Sequence, residues 1–241
     1  MHTPHPSSPA PWRQLVLGVL VTLLTPGRLL AWAHHQASGL SVNNVYQGAA
    51  LLPADLHRVL LLPLVAAGDG PAFEVGCATL QPVLYAELVR AGRFEVTTVA
   101  ADRLAWRTGR AAWTGEEVLP GDFLAVLRQE TGCEAVLFAQ LVVYRPYTPL
   151  VVGWKLRLVD TRSQQTLWAA EEVFDAARPE VARAARAFDR ADATGWAVLH
   201  APRRFAAFAA AHLLATLPHR APPKRVKVFL KQADEGAERR P

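Results

Sequence analysis

Two cysteines in 241 residues, Cys77 and Cys133, are too few for a disulfide scaffold or for a cysteine-built zinc or redox motif. Glycine numbers 15, without period, which excludes a collagen-like chain. No apolar run reaches the 18 or so residues that mark a membrane-spanning helix, and no heptad pattern is sustained. Charged residues make up 20% and hydrophobic ones 51%, a balance that buries a core and excludes an intrinsically disordered chain. No GxSxG, HExxH, CxxC, GxGxxG or P-loop sequence occurs.

The net charge of +5 raises nucleic acid as a partner, but its distribution argues otherwise. Arg13 and Arg28 precede residue 34, and Arg220, Lys224, Arg225, Lys227, Lys231, Arg239 and Arg240 crowd the C-terminal end. The stretch between is close to neutral, so no basic face is expected on the folded part. A basic tail over residues 218–241 reads as a solvated end or a weak anchor to anionic lipid or polymer. Peripheral association with a membrane therefore stays open.

Residues 1–33 have the order of a secretory signal: a basic Arg13, an apolar run over 15–24, the breaker Pro26-Gly27, and Ala31-Trp32-Ala33 as a cleavage site. Cleavage after Ala33 is expected, and an uncleaved anchor is the competing reading. The leader lacks the cysteine of a lipoprotein, so periplasm or cell envelope is the expected location, without lipidation. Cleavage would expose His34 and His35, and a free N-terminal histidine can chelate copper. No partner for such a site is identifiable among His57, His200, His212 and His219, so two solvated residues are expected there, and no metal or cofactor.

Residues 34–56 read as a linker, with an edge strand near Leu51 left open. A single α/β domain is expected over 57–217: a family-like core over 57–174, then C-terminal helices over 179–217. Residues 58–64 form an unbroken apolar run, fitting a strand buried on both faces. Residues 65–76 read as a loop. Leu80, Leu84 and Leu88 mark a helix over 77–91, stopped by Gly92. Further strands are expected over 94–99, 135–144, 151–160 and 166–174, the last two as a hairpin. In that hairpin Val152, Trp154, Leu156 and Leu158 share one face, and Lys155 and Arg157 the other, wet one. Short helices over 101–109 and 122–130 precede the third strand; Pro179 and Pro202 open two more. The sum is an α/β (α+β) fold with a mixed sheet of about five strands.

Candidate chemistry is sparse. Gly68-Asp69-Gly70 sits where an α/β fold would cradle phosphate, without the lysine and hydroxyl of a P-loop. The acidic pairs Glu116-Glu117 and Glu171-Glu172 invite a glycosidase reading, yet neighbours on a strand point to opposite faces. Trp106 and Trp113 flank the basic stretch 107–110; an anchored core tryptophan plus an exposed loop tryptophan is preferred to a base- or sugar-stacking platform. His212, on the inner stripe of the last helix, is expected as a satisfied core histidine. Cys77 and Cys133 are expected at opposite ends of parallel strands, beyond the roughly 7 Å Cα separation a disulfide spans. No catalytic, cofactor or metal residue emerges.

The blocks RVLLLPL, AGRFEVTTV, ETGCEAVLFAQLVVY and WKLRLVDTRSQQTLW, over roughly 57–174, resemble the bacterial envelope group that includes the TolB N-terminal domain, the curli-secretion protein CsgG, the flagellar FlgO and the synthase activator LpoB. The helix over 205–217 has a familiar place beside them. The resemblance implies a mixed sheet with packed helices and a non-enzymatic role in envelope assembly, secretion or synthase activation, exerted by binding an envelope protein or polymer. Two departures stand out: the missing lipidation cysteine, and a hairpin turn of Arg162-Ser163-Gln164-Gln165 without the usual glycine. No amphipathic strand pair is long enough to span a membrane, so pore behaviour is not carried over. The competing class is a periplasmic small-ligand or nucleotide-handling enzyme using the Gly68–Gly70 loop.

Overall fold

The computed structural model describes residues 40–188 and 196–222. The leader, His34 and His35, residues 189–195 between the helices opened by Pro179 and Pro202, and most of the basic tail lie outside the described residues. Strands run β1 (Val45–Gln47), β2 (Arg58–Leu61), β3 (Val65–Ala66), β4 (Glu95–Thr98), β5 (Ala135–Arg145), β6 (Val151–Asp160) and β7 (Thr166–Asp175). Helices are α1 (Pro71–Ala91), α2 (Ala101–Thr108), α3 (Phe123–Thr131), α4 (Pro179–Phe188) and α5 (Pro202–Leu214), with one 3-10 turn at Ala197–Leu199 before α5.

The strands form one mixed sheet in the order β1-β7-β6-β5-β2-β4, with β3 also on β5. Helix-connected strands pair in parallel, β2 with β4 and with β5; the hairpin and its neighbours pair antiparallel. β2 is unbroken apolar because both faces are covered: Val59 and Leu61 turn toward α1 and α5, Leu60 and Leu62 toward α2 and α3. The larger layer holds Trp154, Trp168, Phe174, Phe205 and Phe208; the smaller holds Trp113, Phe123 and Phe138. α1, α2 and α3 each end on a left-handed glycine, Gly92, Gly109 and Gly132, the first of them the stop that the sequence places on α1.

The expected order of elements is present, with a longer α1, two short strands and a C-terminal bridge besides. α1 begins six residues earlier than residue 77, because Pro71 suits the first helical position. Gly76, which suggested a loop, lies inside α1, where an added Cβ would come within 2.7 Å of the Tyr144 ring; its bareness lets the helix approach β5. β3 fills part of the remaining loop. Residues 45–56, expected as linker, supply the edge strand β1 and two core side chains, Leu52 and Leu56. Leu52 also forms a parallel bridge to Arg220, its N–H donating to His219 O at 2.8 Å and its carbonyl accepting from Ala221 N–H at 2.8 Å. Arg220 Nη1 reaches Leu56 O at 3.3 Å. Residues 219–221 thus belong to the fold rather than to a solvated tail.

The hairpin turn lacking glycine is built otherwise. Asp160 Oδ1 accepts the Arg162 and Ser163 N–H groups at 2.9 and 2.6 Å, and Gln164 takes the left-handed conformation at φ 59°. Cys77 and Cys133 are free thiols. The parallel pairing of β2 and β5 holds as expected, and the two cysteines also lie in opposite layers, Cys77 against the larger and Cys133 within the smaller. Burial pushes both thiols up, which makes each a poor nucleophile.

Glu87 is the one acid of α1 that is buried. Its Oε1 bonds Arg90, while Oε2 is buried without a hydrogen-bond partner among the described residues. Burial pushes its carboxyl above the usual range, against the pull of Arg90. A carboxyl raised in the fold holds its proton more tightly folded than unfolded, so stability falls as pH rises from the ordinary carboxylate range through the folded value. Glu87→Gln removes the charge and is expected to gain on the order of 1 kcal/mol at pH 7, the gain shrinking toward pH 4. Thermal melts of both proteins across that range check it; a pH-independent difference would rule the charge out as the cause.

Candidate functional site

The two helical layers do not cover the sheet equally. α1, α4 and α5 line one face along its length, whereas α2, α3 and the loop 110–120 cover the other face only over β2, β4 and part of β5. Above β5, β6, β7 and β1 the second face is open and forms a groove of about 670 Å³. Strand register fixes its floor in two cross-strand rows. Phe138, Arg157, Ala169 and Tyr46 make one; Gln140, Lys155 and Glu171 make the other, reaching Asn44 through a Glu171 N–H to Asn44 O bond at 3.0 Å.

The wall is residues 113–117, held from both sides. Trp113 is buried, its ring 4.9 Å from that of Phe123 and its indole N–H donating to Thr108 Oγ1 at 2.8 Å. The Arg110 guanidinium lies over the same ring at 4.5 Å. Glu117 accepts from Thr114 N–H and Oγ1, both at 2.9 Å, and pairs with Arg110. Those bonds, the Thr114 amide first, hold its carboxyl below the usual range. On the groove side Arg157 donates to Gly115 O and, at 2.9 Å, to Thr166 Oγ1. A Cβ on Gly115 would fall 2.9 Å from Arg157 Cδ, so glycine is what lets the wall sit this close.

Lys155 is the centre of the floor. It pairs with Glu116 of the wall and, at 3.3 Å, with Glu171 of β7, and these two carboxylates raise its pKa, Glu116 most. The two acidic pairs both split, Glu171-Glu172 by strand alternation on β7 and Glu116-Glu117 by a turn in the wall: Glu116 and Glu171 meet on one ammonium, Glu117 turns to Arg110, and Glu172 accepts from Asn43 N–H at 3.4 Å. Glu116 and Glu171 are both engaged by Lys155. The groove offers balanced charge, amides at Asn44, Gln140 and Gln165, hydroxyls at Thr114 and Thr166, and the exposed Tyr46 ring at its edge. That inventory suits binding of a polar chain.

The other candidates fall elsewhere. Gly68 is covered by the Phe73 ring, 2.9 Å from where its Cβ would be; α1 opens with Pro71, which has no N–H, and carries Glu74 in its first turn. Neither feature favours an anion. Trp106 and Trp113 exchange the expected roles: the loop residue Trp113 is buried, and Trp106, on α2, is 74% exposed. The loop tryptophan is the buried one because Phe123 and Thr108 give its ring and N–H a seat. His212 is buried against Phe208, ring centroids 4.7 Å apart, as a core histidine. His57 and His219 lie beside Arg220 and Arg93 at the Leu52 corner, and His200 stacks on Trp196, so the four do not converge. Among the described residues no three His, Cys, Asp or Glu side chains cluster as a metal would need, and no helix is long and apolar enough to cross a membrane.

No family model matches the sequence, and none of the curated proteins matches it. Solved structures are similar to it at low identity. The PelC dodecamer from Paraburkholderia phytofirmans is 16% identical over 75% of this chain and 99% of that one, with a TM-score of 0.45. Lipoprotein GNA1162 from Neisseria meningitidis is 22% identical over 51% and 81%, with a TM-score of 0.32. The LpoB C-terminal domain from Escherichia coli, of the group the hydrophobic blocks resemble, is 11% identical over 61% and 93%, with a TM-score of 0.29. No function is transferred from them.

Proposed function

We propose that this chain is an exported, non-catalytic protein of the cell envelope that binds a protein partner or an envelope polymer in the groove above β5, β6 and β7. The observation that carries the reading is the uncovered half of an otherwise packed sheet, walled by a loop that Trp113 and Arg157 pin in place. Its charged groups are paired with one another and its polar groups are spread over three strands and a loop, which suits a long ligand held at many weak points. A nucleotide-handling role for Gly68–Gly70 finds no comparable support, because Phe73 and Pro71 occupy the place of the phosphate donors.

A photo-crosslinking residue in place of Gln140, in cells, is expected to yield a covalent adduct. Protease sensitivity of the adduct identifies a protein partner, and sensitivity to glycan-cleaving enzymes a polymer. Lys155→Glu combined with Arg157→Glu should reduce the adduct by about tenfold or more. An adduct unaffected by those changes, or turnover of a phosphorylated or glycosidic substrate by the pure protein, overturns the reading. Export is checked by mass spectrometry of native protein: a mature N-terminus at His34 is expected, and intact Met1 in the soluble cytoplasm would refute it.

A further inference from the structure

α1 is apolar on two opposite faces. Its inner face buries Leu80, Val83, Leu84 and Leu88, and no charged residue stands between Glu74 and Glu87. Its outer face exposes Val75, Ala78, Pro82, Tyr85, Ala86 and Val89 in one continuous stripe, with Val75 63% and Val89 51% accessible. A helix that is apolar all round is ordinarily covered all round.

We propose that this stripe seats a second copy of the chain, α1 against α1, antiparallel about a two-fold axis at Pro82. Apart from Tyr85, the stripe is symmetric about that residue. Val75 and Val89 lie seven positions to either side, Ala78 and Ala86 four. In an isologous pair each residue meets its counterpart on the far side of the centre, so valine meets valine and alanine meets alanine. The small Ala78, Pro82 and Ala86 permit the 8–10 Å or so axis separation of packed helices.

Charge selects the direction. The first turn of α1 carries Glu74 and its last turn Arg90. Antiparallel docking brings the acidic end of each helix level with the basic end of the other and opposes the two macrodipoles, whereas parallel docking stacks like ends. A lipid surface fits less well, because an interfacial helix carries lysine or arginine along its polar borders, and here the bases sit only at the C-terminal end. One helix pair about 30 Å long buries less than the ~1,200 Å² of a standard interface, so the association is weak and concentration-dependent.

Cysteine crosslinking of the full chain tests the arrangement, the unmodified chain giving the background from Cys77 and Cys133. Pro82→Cys is expected to form a disulfide dimer. Ala78→Cys and Ala86→Cys are each expected to crosslink poorly alone and well when mixed. Val89→Glu, at an exposed site that faces the partner's acidic first turn, should weaken dimerisation in sedimentation equilibrium by about tenfold or more with little change in melting temperature. A protein monomeric up to millimolar concentration overturns the proposal, as does self-crosslinking of Ala78→Cys equal to that of Pro82→Cys. Binding to anionic vesicles that Val89→Glu abolishes would assign the stripe to a membrane instead.

Discussion

Trp154→Ala is expected to cost about 3–5 kcal/mol of stability, a large part of what a domain of this size has. Trp154 lies mid-way along β6, fully buried, opposite Leu141 of β5 and Glu172 of β7. It is among the largest side chains of the main layer, so its removal leaves a cavity between the sheet and the helices above it. Its indole N–H is buried without an acceptor among the described residues, unlike that of Trp168, which donates to Thr216 Oγ1 at 3.1 Å. Phenylalanine keeps most of the volume and deletes the unpaired donor, so Trp154→Phe should cost less than half as much as alanine. Urea unfolding of the two variants separates packing from hydrogen bonding. An alanine variant within about 1 kcal/mol of the parent would show that the main layer does not depend on the Trp154 ring.

Ending the chain at Leu217 should cost about 2–4 kcal/mol, whereas ending it at Pro222 should leave the melting temperature close to that of the full chain. The shorter cut deletes the two Leu52–His219–Ala221 main-chain bonds and the Arg220 bond to Leu56 O, and it strips cover from two leucines only 1% exposed. The longer cut keeps all of these. Equal melting of the two truncated proteins would show that the Leu52–Arg220 bridge contributes nothing, and that the fold ends at residue 217 as the charge distribution alone suggests.

Most of the sheet was legible because its signals are local. The double burial of β2, the Lys155/Arg157 wet face of β6 and the Gly92 stop of α1 follow from periodicity and from the left-handed conformation glycine tolerates. Features that depend on distant partners were not. Gly76 has the same letter in a loop or in a helix pressed on Tyr144, and only the approach of β5 distinguishes them. β1 is three residues long and carries no pattern until β7 offers it an edge. The groove was half visible: its floor showed as the wet alternation, but the convergence of Glu116 and Glu171 on Lys155 joins residues far apart in sequence. Nor does any local rule say that Trp113 rather than Trp106 is the buried ring, since that depends on where Phe123 and Thr108 arrive.

The bridge between Leu52 and Arg220 works as a clasp: it ties the chain just after β1 to the chain just after α5, so that all the intervening elements form one closed loop. β1 stands outside that loop and reaches the sheet only by its edge on β7. A fragment beginning at Leu52 would therefore keep the clasp and the core while giving up Asn44 and Tyr46, the rim that β1 lends to the groove. Folding and ligand capture are thus separable by trimming one end of the chain.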